Sequence, residues 1–171
     1  MSAPDATGRA PATVAVLPLE TGGCGACAQS LYALRAPRYA AELSAQGITF
    51  ARSPRHADIL LLCGPMTITS RTAVRRVIEA LPEPRALIAV GDCAITGCVF
   101  SGSPYLSTPP ADDLDANVEI AGCPPSPSSI LAAIAEAAQL LADSSATDAA
   151  AAQDAPDAAD GEDDDEEEPT P

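Results

Sequence analysis

Five short apolar runs punctuate the chain. "TVAVLPL" (Thr13 to Leu19), "ADILLLCG" (Ala57 to Gly64), "RALIAVG" (Arg85 to Gly91) and "NVEIAG" (Asn117 to Gly122) are bounded by Gly, Pro or Asp, and "GITFA" (Gly47 to Ala51) is a fifth. Runs of this length read as strands. Their apolarity is continuous rather than alternating, which predicts a sheet covered on both faces, as a parallel sheet is when helices lie on each side. Helical periodicity fills the gaps. In "SRTAVRRVIEAL", Val74, Val77, Ile78 and Leu81 recur at i, i+3, i+4 and i+7 and leave the arginines on other faces; in "SPSSILAAIAEAAQLL", Ile130, Ile134, Ala137 and Leu141 do the same. The order β-α-β-β-α-β-β-α predicts a three-layer α/β domain with a mainly parallel sheet of flavodoxin-like type.

Composition sets the extent of that domain. With 171 residues and 47% apolar content, the chain can bury one sizeable core. The formal charge of −15 is unevenly spread: Asp143 to Pro171 holds 12 of the 24 acids and no arginine, so 12 acids face nine arginines in the rest, a net of about −3. That acidic stretch has almost no large apolar residue and cannot offset its ordering entropy, so it is expected to be a disordered tail. It would serve as an electrostatic shield, a docking tail for a basic partner, or a solubilising extension. Residues 1–12 are expected to be a flexible N-terminus and 13–142 the folded domain. No apolar run approaches the ~20 residues needed to cross a membrane, and no signal-peptide pattern opens the chain, so a cytoplasmic protein is expected. Nucleic acid is excluded as a partner by an acidic body with no Trp, three Tyr and two Phe.

Six cysteines carry the candidate chemistry. Cys24 and Cys27, in "TGGCGAC", follow the first strand; Cys93, in "GDCAITGC", follows the strand ending near Gly91; Cys123 follows the last. In a parallel sheet these turns share the carboxyl edge, where open α/β sheets place their sites, so the four thiols should converge. Pro124, Pro125 and Pro127 stiffen the turn after Cys123, with Ser126 suited to a helix N-cap. Gly22, Gly23 and Gly25 let the backbone approach a ligand closely and offer N–H groups to anionic sulfur. Four thiolates in a reducing compartment suit a metal rather than disulfides. Zinc remains possible, but one Cys-x-x-Cys pair plus two isolated cysteines on separate loops suits a cubane [4Fe-4S] cluster better.

"GCGAC", "SPRHADILLLCGPMT", "AVRRVIEALPEPRALIAVGDCA" and "AGCPPSP", taken together between about Val14 and Leu141, resemble the small-subunit family shared by nickel-iron hydrogenases and the cluster-bearing subunit next to the quinone site of respiratory complex I. The resemblance implies that Cys24, Cys27, Cys93 and Cys123 are the ligands of a proximal [4Fe-4S] cluster. Complex I subunits carry adjacent cysteines at the first position, whereas Cys24-Gly25-Ala26-Cys27 is spaced as in the hydrogenase branch, most like its short, membrane-associated, complex-I-related members. The glutamate usual after the second cysteine is replaced by Ala28, Gln29 and Ser30, which removes a carboxylate able to relay protons. A single cluster is expected, with neither a second cluster domain nor a twin-arginine leader.

The function implied is electron transfer beside the active site of a large nickel-iron or complex I type subunit. A further iron-sulfur subunit and membrane subunits of the same complex are the other partners, with a peripheral place on the inner face of the cell membrane. A quinone-reducing module of complex I type is the alternative, and a zinc-bound or metal-free scaffold is another. Cys63, ending "DILLLC", is expected as a buried small hydrophobe. Cys98 could sit near the cluster or substitute as a ligand. His56 is expected on a surface turn. Arg71 and Arg75, four apart on one helix face, repel unless something anionic lies opposite, and Arg75 or Arg76 would face the cluster, a partner or solvent.

Overall fold

A computed structural model describes residues 13–153, with side chains through 144. Five strands are present: β1 Val14–Glu20, β2 Ile48–Phe50, β3 Ile59–Cys63, β4 Ala86–Val90 and β5 Val118–Ile120. They form one sheet in the order β2-β1-β3-β4-β5 with every neighbouring pair parallel. This is the flavodoxin-like order expected from the alternation of strands and helices. All five residues of β3 and of β4 are buried, which is why their sequences are unbroken apolar runs.

The period of two along each strand divides the core. Ile59, Leu61, Cys63, Ile88 and Val90 pack with Leu31, Leu43, Ile130 and Ile134 on one face. Those partners come from α1 (Ala26–Ala33), α2 (Pro37–Ala45) and α6 (Pro127–Gln153). Leu60, Leu62 and Leu87 point the other way, onto Val74, Val77 and Ile78 of α3 (Ile68–Glu79). The apolar stripe expected on that helix is therefore its buried face. Thr67 caps α3, accepting from the Ser70 N–H at 3.0 Å while its own N–H donates to Ser70 Oγ at 3.0 Å. Ser126 caps α6 as expected, its Oγ accepting from the Ser129 N–H at 3.1 Å.

Polar residues at the amino ends of the strands extend the ladder. Asp58 Oδ2 accepts from the Ala15 N–H at 2.7 Å and Asn117 Oδ1 from the Leu87 N–H at 2.7 Å. A polar boundary in the sequence is here a hydrogen-bond partner for a neighbouring strand.

Two features differ from the sequence reading. Between β4 and β5 lie α4 (Asp92–Thr96), a 3-10 turn (Cys98–Phe100) and α5 (Pro110–Asp113), each too short to show a 3.6-residue period. Ala89, Ala94 and Ala111 form a small core of their own there. The second is the expected boundary at Asp143, which α6 passes to reach Gln153; alanine-rich sequence has high helix propensity whatever its charge. The rest of the expected tail, 154–171, and the expected flexible residues 1–12 lie outside the described residues.

Arg71 and Arg75 do meet an anion, and it is Asp113 of α5. Arg71 Nη2 lies 2.5 Å from Asp113 Oδ1 and Arg75 Nη2 3.1 Å from Oδ2. The carboxylate is only 7% exposed, and the hydrogen bond from Arg71 is the chief cause that holds its pKa below the usual range. This clamp fastens the β4–β5 insertion to α3 and supplies the anion opposite Arg71 and Arg75.

Leu61, fully buried in the central strand, measures how much the fold depends on this core. Leu61→Ala should lower unfolding stability by about 3 kcal/mol in a urea titration, since such truncations cost roughly 2–5 kcal/mol.

Candidate metal centre

The strand register sets up the site. Glu20 pairs with Cys63, Cys63 with Val90, and Val90 with Ile120, so one row of residues ends four adjacent strands at the carboxyl edge. The loops leaving that row carry the cysteines: Cys24 and Cys27 after β1, Cys93 after β4, Cys123 after β5. All four line a single narrow cleft, partly open to solvent, together with Cys63, Glu20 and Asp92. The expected convergence is therefore present. Among the described residues no three His, Cys, Asp or Glu side chains are grouped so as to hold one metal ion; the thiols stand around the cleft instead.

Short hydrogen bonds tie the loops to one another. The Thr21 hydroxyl, buried, donates to the Gly64 carbonyl at 2.8 Å, and the Thr21 N–H donates to the Cys63 carbonyl at 2.9 Å, joining the β1 and β3 ends. Asp92 Oδ1 accepts from the Gly122 N–H at 2.6 Å while the Asp92 N–H donates to the Gly122 carbonyl at 3.1 Å, joining the β4 and β5 ends. Gly91 is required by its surroundings. Its φ is +88°, and a Cβ there would stand 2.6 Å from Cys27 Sγ and 3.1 Å from the Gly122 carbonyl oxygen.

Cys24 and Cys123 are exposed, Cys27 and Cys93 half-buried, and Cys63 buried. Crowding and desolvation favour the neutral thiols. Burial, then the charges of Cys123, Cys24 and Asp92, raises the Cys27 pKa. Burial, followed by Cys98, pushes Cys93 up to about 11. Loss of water, with Cys98 and Asp92 nearby, raises Cys123. Burial pushes Cys63 up to about 12. A metal group entering this cleft would replace those protons, because thiolates are the ligands. Cys63 is thus both the buried hydrophobe expected and a wall of the cleft, packed beside Cys27.

The structure supplies what sequence reading omitted. Glu20 and Asp92 bring carboxylates to the cleft despite the missing glutamate after Cys27, and Ala28 lines the cleft where that chain segment passes. Cys98, which could have joined the ligands, is half-buried in the 3-10 turn Cys98–Phe100 and is not among the residues lining the cleft. His56 is exposed in the 3-10 turn Pro54–His56 that precedes β3, with Nδ1 2.9 Å from Ser53 Oγ, at the opposite edge of the sheet.

A parallel α/β sheet with four thiols gathered at its carboxyl edge defines a class of cofactor-bearing small subunit, and comparison with known proteins gives the family. Residues 24–137 match the model of the family described as "NADH ubiquinone oxidoreductase, 20 Kd subunit", and the chain belongs to that family. It is 39% identical over 127 residues to a probable membrane-bound hydrogenase subunit, mbhJ, of Pyrococcus furiosus, covering 74% of this chain and 75% of that one. It is 36% identical over 113 residues to a component of the NADH-quinone oxidoreductase of Heliobacterium modesticaldum, covering 65% and 63%. Among solved structures, a chain of the membrane-bound sulfane sulfur reductase, an archaeal respiratory membrane complex, superposes with a TM-score of 0.61 at 25% identity, over 75% of this chain and 70% of that one. An NAD+-reducing [NiFe]-hydrogenase chain shares the fold, with a TM-score of 0.51 at 20% identity over 68% and 86%.

The raised thiols fix the sign of a pH effect on the metal-free chain. A thiol with a pKa above its unfolded value of about 9 is protonated in the fold and stabilises it below pH 9; that stability is lost as pH rises through the folded value. Denaturant midpoints of metal-free protein should therefore fall between pH 9 and 12, and Cys63→Ala should flatten the fall.

Proposed function

We propose that this chain is an electron-transfer subunit whose Cys24, Cys27, Cys93 and Cys123 hold one [4Fe-4S] cluster beside the active site of a large partner subunit, in a hydrogenase-like complex. The observation that carries the reading is the placing of four thiols from three separate loops around one cleft. The donor set fits the group: all sulfur, no histidine, with Gly91 where the backbone must stand close to the Cys27 sulfur. A bound cluster supplies reversible one-electron storage. The chain's own residues fix its ligands, keep water from one side through Cys63 and Ala28, and place Glu20 and Asp92 at the mouth, where they add negative charge.

The spacing of Cys24 and Cys27 and the likeness to mbhJ support the hydrogenase side of the family. A complex I type quinone-reducing module is the second reading, favoured by the likeness to a component of an NADH-quinone oxidoreductase. Either way the chain works inside an assembly. Val99 is 83% exposed and Tyr105 77%, with Ile68 and Phe100 also exposed. The Ile68 N–H donates to the Tyr105 carbonyl at 3.1 Å, which brings two of these exposed residues together. Such a face suits a large subunit. No helix among the described residues is long and apolar enough to cross a membrane, so membrane subunits of the complex would supply any membrane contact.

Anaerobic purification tests the reading. The protein should be brown and carry about four irons and four sulfides per chain. Cys24→Ala, Cys27→Ala, Cys93→Ala and Cys123→Ala should each lose that iron, while Cys63→Ala keeps it. A colourless chain with one tightly held zinc would contradict the assignment, as would iron loss confined to the Cys63 variant.

A further inference from the structure

The arginines of the chain are unevenly placed. Residues 31–57 hold Arg35, Arg38, Arg52 and Arg55 against a single acid, Glu42, a net of +3 within a body that is acidic overall. The fold brings the two halves of this stretch together. Arg35, just beyond α1, stacks over the ring of Phe50 at the end of β2, with Cζ 4.7 Å from its centroid and 5.5 Å from that of Tyr32. Arg52 follows Phe50 by two residues, and Arg55 and His56 lie in the 3-10 turn that leads into β3. β2 is the edge strand of the sheet, so no further strand covers this flank. All four arginines are exposed, and Arg52 and Arg55 have no ion pair among the described residues.

The acidic end of the chain is delivered to the same side. α1, α2 and α6 pack on one face of the sheet. α6 starts after β5 at the carboxyl edge and runs back, so that Ala138, Leu141 and Ala142 line one groove with Thr13, Val14 and Asp58 at the amino edge. Arg52 and Arg55 belong to that edge as well: on either side of them, the Ala51 N–H donates to the Val16 carbonyl at 2.9 Å and the Asp58 N–H to the Ala15 carbonyl at 2.8 Å. Beyond Gln153 the chain has 18 more residues, of which ten are acids, seven of them consecutive from Glu162 to Glu168, and none is basic. That length spans at most about 60 Å when extended, enough to reach any part of the flank. We propose that residues 154–171 dock on the Arg35–Arg38–Arg52–Arg55 flank of their own chain, as an intramolecular mask that an anionic partner must displace. Guanidinium forks match carboxylates geometrically, and ring stacking holds the Arg35 fork in place. Each exposed charge pair is weak and screened by salt, so the contact is collective and reversible, and the covalent link through α6 keeps the acids at high effective concentration. It does not rest on the four-cysteine reading, because the cleft lies at the opposite, carboxyl edge.

Phenylglyoxal, which modifies accessible guanidinium groups, reads the contact one arginine at a time when the peptides are quantified by mass spectrometry. Full-length wild type is compared with a full-length variant in which Glu162 to Glu168 are all converted to their amides, both purified anaerobically at low salt. Arg52 and Arg55 should react several-fold faster in the variant, and wild type should match it once high salt screens the charges. Arg71 and Arg75, paired with Asp113, should react alike in both proteins and report an unchanged fold. Equal rates at Arg52 and Arg55 overturn the proposal. Protection that fades on dilution overturns it too, because the acids would then sit on a second copy of the chain. An independent check is the full-length Arg52→Glu, Arg55→Glu double variant, in which neither residue loses an ion pair. Its acidic segment should be cut several-fold faster by a glutamate-specific protease than that of wild type, and an unchanged cutting rate contradicts the docking.

Discussion

Everything at the site depends on the parallel register of four strands at their carboxyl ends. Glu20, Cys63, Val90 and Ile120 stand in one hydrogen-bonded row, and a slip of one position in any pair would carry a cysteine loop along the edge and turn its strand's core residues to the wrong face. The buried leucines and isoleucines of β3 and β4 forbid that slip, because their two faces are filled by different helices. The core thus sets the positions of the sulfurs as well as the stability of the chain. Thr21 and Asp92 then lock the loops pairwise just beyond the row.

The same crowding that makes the site useful makes it costly without a metal. Thiols are packed where burial and neighbouring negative charge oppose ionisation, and a set of thiolates is tolerable there only against positive charge. Iron would supply that charge, so cluster binding should stabilise the fold as well as equip it. Net charge in the body is small and several large apolar residues stand exposed, which is the surface expected of a subunit that lives against a larger neighbour.

The sheet was legible because its central strands are buried on both faces and so read as plain apolar runs; β1, β3, β4 and β5 lie within one or two residues of the expected segments. The four ligand candidates were legible once the sheet was taken as parallel, since strand ends then share an edge. What stayed hidden depends on contacts far apart in the chain. Asp113 meets Arg71 across 42 positions through an insertion whose helices are four and five residues long. Glu20 reads as an ordinary strand end, and only the register brings it to the cleft. Cys98 takes a left-handed backbone directly after left-handed Gly97, a conformation glycine signals and cysteine does not. The helix beyond Asp143 was obscured by acidity, which bears on solubility while alanine content governs helix formation.

X-ray absorption at the metal edges of anaerobically purified protein tests the central claim most directly. Iron with a shell of sulfur and a further shell of iron neighbours is the expected result, the signature of a multi-iron cluster held by thiolates. Zinc with four sulfurs and no metal neighbour, or iron without iron neighbours, would contradict it.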